Sequence, residues 1–316
     1  MFQDFANVWT PVAFAAELGT RRPLAATVAG TRLALFRAAD GTPRALLDRC
    51  PHRGAALSLG QIANGCLECP FHGWRFDAEG RVVHVPWSPD AKLANLHADT
   101  VPARELGGQI WIYTAVNAAA EGEPAVNEYF AARGVRVSGT AVEWRAHWTR
   151  AMENMLDWPH LAFVHRASIG RELVKLSAGR MDVDREEQPW GVRSRIVVDG
   201  VARPGMLDYR WPNQMNLHIT LLGRKVLLTV ACVPIDSQRT RMLLTIVRPF
   251  LRSRLFDGVF NYSNRRIAKE DQAIVESSSP AEIPAAHEEK SVRTDALTLR
   301  FRKDYLTRLK GTAAAN

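Results

Sequence analysis

Two short cysteine–histidine motifs, separated by a loop-sized gap, constrain this chain more than any other feature of its sequence. The first runs Cys-Pro-His-Arg-Gly from Cys50, and the second runs Cys-Pro-Phe-His-Gly-Trp from Cys69. Each motif provides one thiolate and one imidazole, Cys50 with His52 and Cys69 with His72. Two sulfurs and two nitrogens suit either a tetrahedral zinc ion or a [2Fe–2S] cluster in which two histidines replace two cysteines on one iron.

The residues around these four candidate ligands favour the cluster. Both motifs contain turn formers, namely Pro51 and Gly54 in the first and Pro70 and Gly73 in the second. Loops of this kind turn backbone N–H groups toward the bridging sulfides, and such hydrogen bonds tune the cluster potential. A further cysteine, Cys66, is interpreted as a loop–strand residue and not as a ligand.

A second candidate metal site lies downstream, where Asn154, Asp157, His160 and His165 follow one another at intervals of three, three and five residues. Three-residue steps stay near one face of a helix. At about 100° per residue, the last step turns the second imidazole away from the first. Both histidines therefore reach one metal only if the helix is broken at Pro159 or contains a π-bulge. The alternative is two half-buried histidines on a regular helix.

Two histidines call for a carboxylate, and Asp271 is the best candidate. The segment 266–276 has a helical pattern with an apolar stripe of Ile267, Ile274 and Val275. Asp271 falls within this stripe, whereas Glu270 is placed on the outer side. A buried carboxylate needs compensation, which either a metal or a paired arginine supplies. His160, His165 and Asp271 then form a 2-His-1-carboxylate iron site, with Asp295 as the second-choice carboxylate.

From Cys50 to Trp74 the sequence resembles the Rieske [2Fe–2S] motif, and nearly the whole chain resembles the α subunit of a Rieske non-haem iron oxygenase of the short homotrimeric type. The resemblance implies a [2Fe–2S] cluster and a mononuclear Fe(II). It also implies that Asp157 links His72 of one subunit to the iron ligand His160 of the next. By the same resemblance, Asn154 lies near the iron without being a firm ligand.

The predicted fold class is α+β, with an all-β Rieske domain at 1–120 and a catalytic domain at 121–316. Hairpin turns are predicted at Asp40-Gly41 and Glu79-Gly80, and a strand at 109–113 closes the first domain. In the second part, strands followed by a helix suggest an antiparallel sheet with helices on one face. These strands are predicted at 191–198, 215–222, 225–233 and 241–248, with loop at 277–289 and a closing helix at 297–309. The resemblance implies a helix-grip domain of the START/Bet v1 type.

The implied activity is that of a terminal oxygenase that uses O2 and two externally supplied electrons, with a ferredoxin and/or a flavin reductase as electron donor. Hydroxylation or oxidative demethylation of an apolar aromatic or alicyclic substrate is the main hypothesis, and cis-dihydroxylation is the alternative. Two other classes remain open, namely a Rieske electron carrier and a zinc-stapled binding protein. Metal and sulfide analysis separates them.

The substrate pocket is expected between the metal helix and the later strands. Its walls are predicted from 152–163 and from the apolar side chains of Trp211, Met215, Leu217, Ile219 and Leu221. His218 is predicted to be a strand residue with a local partner, and pocket lining is the alternative. A largely apolar substrate follows from this composition.

Composition excludes several classes of protein. Hydrophobic content of 47% supports a full core, and no apolar run approaches a membrane span. The four cysteines do not form a disulfide framework; Cys66 and Cys232 are interpreted as buried thiols, and the expected compartment is the cytoplasm. The net charge of +8 comes from 34 Arg and 7 Lys that are scattered, which argues against nucleic acid as a partner. Two explanations of the positive charge remain, a genome bias toward Arg and the electrostatic steering of an acidic electron donor. Arg53, Arg75 and Arg81 are the candidates for steering.

Overall fold

The computed structural model describes residues 1–311, which form two compact units. The first unit, Met1–Val126, consists of β-strands and short 3-10 turns, and the second begins at Asn127 and combines one large sheet with helices. All strand pairings are antiparallel among the described residues. The predicted α+β class is confirmed.

The first unit contains three small sheets. Its strands are β1 Trp9–Phe14, β2 Leu24–Val28, β3 Thr31–Arg37, β4 Pro43–Leu47, β5 Gln61–Ala63, β6 Cys66–Glu68, β7 Arg75–Phe76, β8 Val82–His84, β9 Thr100–Val101, β10 Ala103–Leu106 and β11 Gln109–Tyr113. Their orders are β1-β11-β10, β2-β3-β4-β9 and β5-β6-β7-β8. Both predicted hairpin turns are present, between β3 and β4 and between β7 and β8.

Apolar side chains from the second and third sheets form one core around the two motif cysteines. Phe36, Leu46, Leu67 and Phe76 are fully buried in this cluster together with Cys50 and Cys69. The cysteine loops therefore project from a packed core, and this core fixes their spacing.

One eight-stranded sheet organises the second unit. Its strands are β12 Arg136–Trp144, β13 Met181–Gln188, β14 Gly191–Val198, β15 Val201–Ala202, β16 Met206–Arg210, β17 Gln214–Leu221, β18 Arg224–Pro234 and β19 Thr240–Arg248. The order is β12-β19-β18-β17-β16-β14-β13, and β15 pairs with β14. Four strands match the predicted segments closely, whereas β13, β15 and β16 were missed. Five of the eight residues of β13 are charged, so no apolar alternation marks it.

The helices of the second unit are α1 Trp148–Leu156, α2 His160–Phe163, α3 Arg171–Val174, α4 Asp257–Val275 and α5 Ala296–Asp304, with a π-helical turn over Tyr305–Leu309. Helix α4 begins well before the predicted segment, because Asp257 in its first turn forms ion pairs with Arg136 and Arg248. None of the helices in the described residues has the length and apolar character to cross a membrane.

Strand register brings apolar residues into rows on one face of the large sheet. Leu207, Leu217 and Leu228 are paired across β16, β17 and β18, and Met215, Val230 and Leu244 across β17, β18 and β19. Side chains that are directly opposite in a ladder share a face, so the two rows form one apolar surface. This surface and helix α4 enclose a cavity.

The two hairpin turns of the first unit provide a matched test of packing. Gly41 and Gly80 both have a positive φ, of 80° and 76°. A Cβ on Gly80 would lie 2.5 Å from the Ala98 carbonyl oxygen, whereas a Cβ on Gly41 would meet nothing within 4 Å. We expect Gly41→Ala to cost about 1–2 kcal/mol of unfolding free energy from left-handed strain alone. Gly80→Ala should cost about 1–3 kcal/mol more, because overpacking is added.

Urea unfolding of the full chain, followed through the far-ultraviolet circular dichroism of both variants, measures the difference. Equal losses would contradict the close approach of Gly80 to the backbone carbonyl oxygen of Ala98.

Candidate metal centres

The two cysteine loops of the first unit have the same backbone hydrogen-bond pattern. In each, the cysteine N–H donates to a carbonyl five residues later, and the glycine four residues later donates back to the cysteine carbonyl. The bonds are Cys50 to Ala55 at 2.8 Å, Gly54 to Cys50 at 2.8 Å, Cys69 to Trp74 at 2.8 Å and Gly73 to Cys69 at 3.0 Å. Two matching loops that face each other suit a ligand with two equivalent halves.

The four candidate ligands differ in burial by type. Cys50 and Cys69 are 2% exposed, whereas His52 and His72 lie at the surface. The two imidazole centroids are 4.6 Å apart, and the ring of His52 stacks on Trp74 at 4.6 Å. Burial, and then the neighbouring Cys69, raise the pKa of the Cys50 thiol to about 11. A buried thiol of this kind ionises readily only beside a cation, so the donor set fits a [2Fe–2S] cluster with sulfur inside and nitrogen outside.

The other cysteines and the nearby arginines have separate roles. Cys66 lies opposite Ala63 in the β5–β6 ladder and is only partly buried, while Cys232 is fully buried in β18. Arg75 forms an ion pair with Glu68 at 2.6 Å. Arg81 pairs with acids of its own turn. Arg53, the third arginine proposed to steer a donor, is exposed and forms no ion pair among residues 1–311.

In the second unit the predicted distortion of the metal helix is confirmed as a break. Helix α1 ends at Leu156, Asp157 is extended, and α2 begins at His160 after Pro159. The residue before a proline avoids helical geometry, which explains the position of the break. The Trp158 indole N–H donates to Ser194 Oγ at 3.2 Å and ties this break to strand β14.

The break brings three side chains together. His165 Nε2 lies 3.2 Å and His160 Nε2 lies 3.7 Å from Asp271 Oδ1, and one donor atom of each side chain falls within 4.8 Å of the others. Asp271 is 2% exposed, and its Oδ1 has no hydrogen-bond partner among residues 1–311. An orphaned buried carboxylate oxygen beside two imidazoles is what a bound divalent cation would satisfy. The donor set therefore fits a mononuclear iron.

Each of the two histidines has a partner on its other nitrogen. His160 Nδ1 donates to the Asp157 backbone carbonyl at 2.6 Å, and His165 Nδ1 donates to Glu270 Oε2 at 2.7 Å. Burial lowers the pKa of His160. Burial acts in the same direction on His165, but Asp271 and Glu270 outweigh it and raise the pKa of that imidazole.

The placement of Glu270 on the outer side of the helix was wrong. Its carboxylate contacts His165 and Ser168 in the folded protein. Ile274 was also wrongly assigned to the buried stripe, because it is 52% exposed and Ala268 occupies the buried face instead. One signal could have revealed Glu270: metal-bound histidines usually donate their second N–H to a carboxylate, and Glu270 directly precedes Asp271.

Three further polar residues surround this centre. Asp157 lines both the cavity and a neighbouring groove, and burial, followed by the nearby Asp295, raises the pKa of Asp157 to about 6. Asn154 lines only the groove, and its Nδ2 has no partner within the described part of the chain. Asp295 accepts a hydrogen bond from the Val292 N–H at 2.8 Å and is not one of the three converging groups.

The cavity beside the three ligands is almost entirely apolar. Its wall includes the apolar sheet rows together with Trp144, Met155, Leu161, Ile169, Ile267 and Ala268. Apart from Asp157 and the three ligands, its polar members are Thr229, Thr245 and Asn264. Of the predicted wall, Met215 and Leu217 are present, but Trp211, Ile219 and Leu221 are not. His218 has the predicted local partner, since its Nε2 lies 2.9 Å from Asp208 Oδ2.

A β-domain with a two-cysteine, two-histidine cluster motif, followed by a helix-grip domain with two histidines and a carboxylate, defines the oxygenase component of a Rieske non-haem iron system. Residues 8–101 match the Rieske [2Fe-2S] domain, and residues 144–309 match the vanillate O-demethylase oxygenase C-terminal domain. The chain belongs to the Rieske non-haem iron oxygenases and is an oxidoreductase, with a [2Fe–2S] cluster and a mononuclear iron as cofactors.

Individual relatives agree with this assignment. The oxygenase component of dicamba O-demethylase from Stenotrophomonas maltophilia is 38% identical over 165 residues, which are 51% of this chain and 48% of that protein. The methylxanthine N1-demethylase NdmA of Pseudomonas putida is 29% identical over 96% of this chain and 89% of its own length. The crystal structure of dicamba monooxygenase bound to dicamba superposes with a TM-score of 0.79 at 25% identity, covering 96% of this chain and 98% of that one. Oxygenase components of this kind require dioxygen and an electron-transfer partner.

Removing the buried carboxylate should empty one centre alone. We expect Asp271→Ala and the isosteric Asp271→Asn to lose the mononuclear iron and turnover, because two neutral imidazoles hold Fe(II) weakly without an anionic ligand. Iron per chain and the visible spectrum measure the two centres separately. Asp295→Asn is the control and should keep both the cluster and the mononuclear iron. If Asp295→Asn loses the iron and Asp271→Ala retains it, Asp295 is the ligand instead of Asp271.

The reciprocal variant should empty the other centre. Cys50→Ser removes a buried sulfur and is expected to bleach the visible cluster bands, while the iron of the second unit is retained. Cys66→Ser is its control and should keep the cluster spectrum. Bleaching in Cys66→Ser would make Cys66 a ligand.

Proposed function

We propose that this chain inserts one oxygen atom of O2 into a C–H bond of a small, largely apolar aromatic or alicyclic compound. The second oxygen atom leaves as water, which consumes two protons and two electrons delivered from outside. Where the attacked carbon is an O- or N-methyl group, the hydroxylated product loses formaldehyde, and the net reaction is demethylation. Two of the relatives are named demethylases, and we favour this outcome.

One observation carries the proposal. The unpartnered Oδ1 of Asp271 and the Nε2 atoms of His160 and His165 converge at the wall of a cavity whose remaining lining is largely apolar. An apolar wall desolvates an uncharged substrate readily and a charged one only at high cost. A reactive metal at that wall would meet the substrate in the absence of bulk water.

The proposed ligand sets follow from the donor chemistry. Cys50, Cys69, His52 and His72 would hold the cluster. His160, His165 and Asp271 would hold the iron. When bound, the cluster supplies single electrons and the iron supplies open coordination positions for dioxygen.

A single amide in the wall gives the substrate a polar contact. Asn264 lies on α4, two turns before Asp271, and lines the same cavity. We propose that it donates to a carbonyl or ether oxygen of the substrate and so fixes which carbon faces the metal ligands. An amide suits such a role because it donates without placing a charge in an apolar cavity.

Further parts of the proposal concern organisation. We propose a Rieske domain over residues 1–120 and a catalytic domain over 121–316, assembly as a homotrimer, and a cytoplasmic location. A ferredoxin and/or a flavin reductase would supply the electrons, and the exposed imidazoles of His52 and His72 offer the shortest path into the cluster.

The activity test uses the reconstituted protein with a surrogate reductase, ¹⁸O₂ and a panel of neutral aromatic, N-methyl, O-methyl and alicyclic compounds. We expect one labelled oxygen per product, or formaldehyde from the methylated compounds, and no turnover by Asp271→Ala. Two labelled atoms per product would indicate dihydroxylation instead. Turnover of charged compounds in preference to neutral ones would contradict the role assigned to the apolar wall.

Asp157 is proposed to relay electrons toward His160. Its backbone carbonyl accepts a hydrogen bond from His160 Nδ1, and the residue lines both the cavity beside the three proposed iron ligands and the neighbouring groove. We expect Asp157→Asn to retain both metals but to slow reoxidation of the reduced cluster by about 10–100-fold, the usual cost of losing such a carboxylate. Stopped-flow absorption of the cluster after mixing with substrate and O2 measures this rate.

A mixing experiment tests whether the relay crosses between subunits. His72→Ala lacks a cluster ligand and His160→Ala an iron ligand, and both are expected to be inactive. Under conditions that exchange subunits, some interfaces would contain one intact centre from each chain. Recovery of activity supports transfer between chains, and its absence after demonstrated exchange would assign Asp157 a local role.

A further inference from the structure

The imidazole of His165 lies between two neighbouring acids of one helix, one beside each ring nitrogen. Its Nε2 lies 3.2 Å from Asp271 Oδ1, and its Nδ1 donates to Glu270 Oε2 at 2.7 Å. Consecutive residues of a helix point about 100° apart, so two such side chains reach one ring only if the ring lies across them. His165 meets this condition because it lies in the turn after α2, outside any helix.

Glu270 is itself fixed by the same turn. Its Oε2 also accepts a hydrogen bond from Ser168 Oγ at 2.9 Å. The Ser168 N–H donates to the His165 carbonyl at 2.8 Å, so His165, Glu270 and Ser168 form a closed cycle of hydrogen bonds. A carboxylate held in this way has little freedom to leave the imidazole.

The two histidines of the centre are therefore supported differently. His160 Nδ1 donates to a backbone carbonyl, that of Asp157, at 2.6 Å. His165 depends on a side chain that can be removed by mutation. A carboxylate that accepts the Nδ1 proton also makes Nε2 a stronger metal ligand than a neutral carbonyl acceptor does.

We infer that Glu270 is a positioning residue for the mononuclear iron, which keeps the His165 proton on Nδ1 and the lone pair of Nε2 directed at the metal. The inference rests on the proposed ligand set of His160, His165 and Asp271. A histidine that accepts at Nδ1 or rotates about its χ2 angle would lose the metal bond, and the hydrogen bond to Glu270 prevents both.

The test compares iron retention in four variants of the full holoprotein. We expect Glu270→Ala to release Fe(II) to a competing ferrous chelator about 10–100-fold faster than the parent protein. Glu270→Gln should lie in between, because the amide oxygen still accepts from Nδ1. Ser168→Ala should show a smaller effect in the same direction, and little further effect when it is added to Glu270→Ala.

Glu276→Ala is the matched control. Glu276 lies directly after α4 and accepts hydrogen bonds from Arg145 and Gln272, but it does not contact His165. It should lower thermal stability by a similar amount to Glu270→Ala and leave iron release unchanged. If both variants release iron equally fast, Glu270 has only a structural role and the inference is wrong.

A spectroscopic readout separates positioning from folding. With Co(II) in place of the iron, Glu270→Ala should shift the visible ligand-field bands, whereas Glu270→Gln should largely restore them. Unchanged bands in Glu270→Ala would overturn the inference. His165→Ala separates the proposed ligand set from the proposed role of Glu270. If His165→Ala keeps the metal, the ligand set is wrong. If His165→Ala loses the metal and Glu270→Ala does not, only the role of Glu270 is wrong.

Discussion

The second unit is built around a buried carboxylate oxygen that has no hydrogen-bond partner in the described residues. Burying a charge without compensation is expensive, and Asp271 Oδ1 lies beside the Nε2 atoms of two imidazoles. Helix α4 places this carboxylate on its inner face, and the break before Pro159 turns His160 and His165 toward it. Without a cation the arrangement would be unfavourable, and with one it becomes a three-ligand centre. The sheet against which α4 packs also supplies the apolar wall. The metal site and the substrate cavity therefore both depend on the packing of α4 against this sheet.

The two candidate metal centres differ in the surroundings of their ligands. In the first unit the sulfurs are buried in the hydrophobic core and the imidazoles reach the surface, so an electron can arrive without opening the fold. In the second unit the proposed ligands lie beside a largely apolar cavity, which would limit the access of water to a bound iron. Matching hydrogen bonds in the two cysteine loops fix the first centre through backbone atoms. The second centre depends on side chains from several elements, and its supports are correspondingly open to change by mutation.

Much of the fold was predictable where the pattern is periodic. Four long strands of the second unit and both hairpin turns of the first were located from apolar alternation and Asp-Gly or Glu-Gly pairs. Strand β13 was missed because it is an edge strand stabilised by charged pairs, such as Asp184 with Arg195, and not by apolar burial. The start of α4 was missed because the ion pairs of Asp257 extend the helix beyond its apolar stripe. The prediction of the pocket wall was partly correct. The alternation of side chains along a strand shows which residues share a face of the sheet, but it does not show which part of that face lies under the helix.

The sequence by itself determined the chemistry of this protein, because ligand type and spacing restrict which metals four or three side chains can bind. Cys50, His52, Cys69 and His72 are close in the chain, and their loop needs no distant contact to be recognised. Only the tertiary structure decided how the second centre is assembled. His165 and Glu270 are 105 residues apart, and the apolar periodicity of the helix placed Glu270 on the outer side, away from His165. Their contact exists because the break at Pro159 and the packing of α4 bring a turn and a helix together, and long-range packing is what a single sequence does not display.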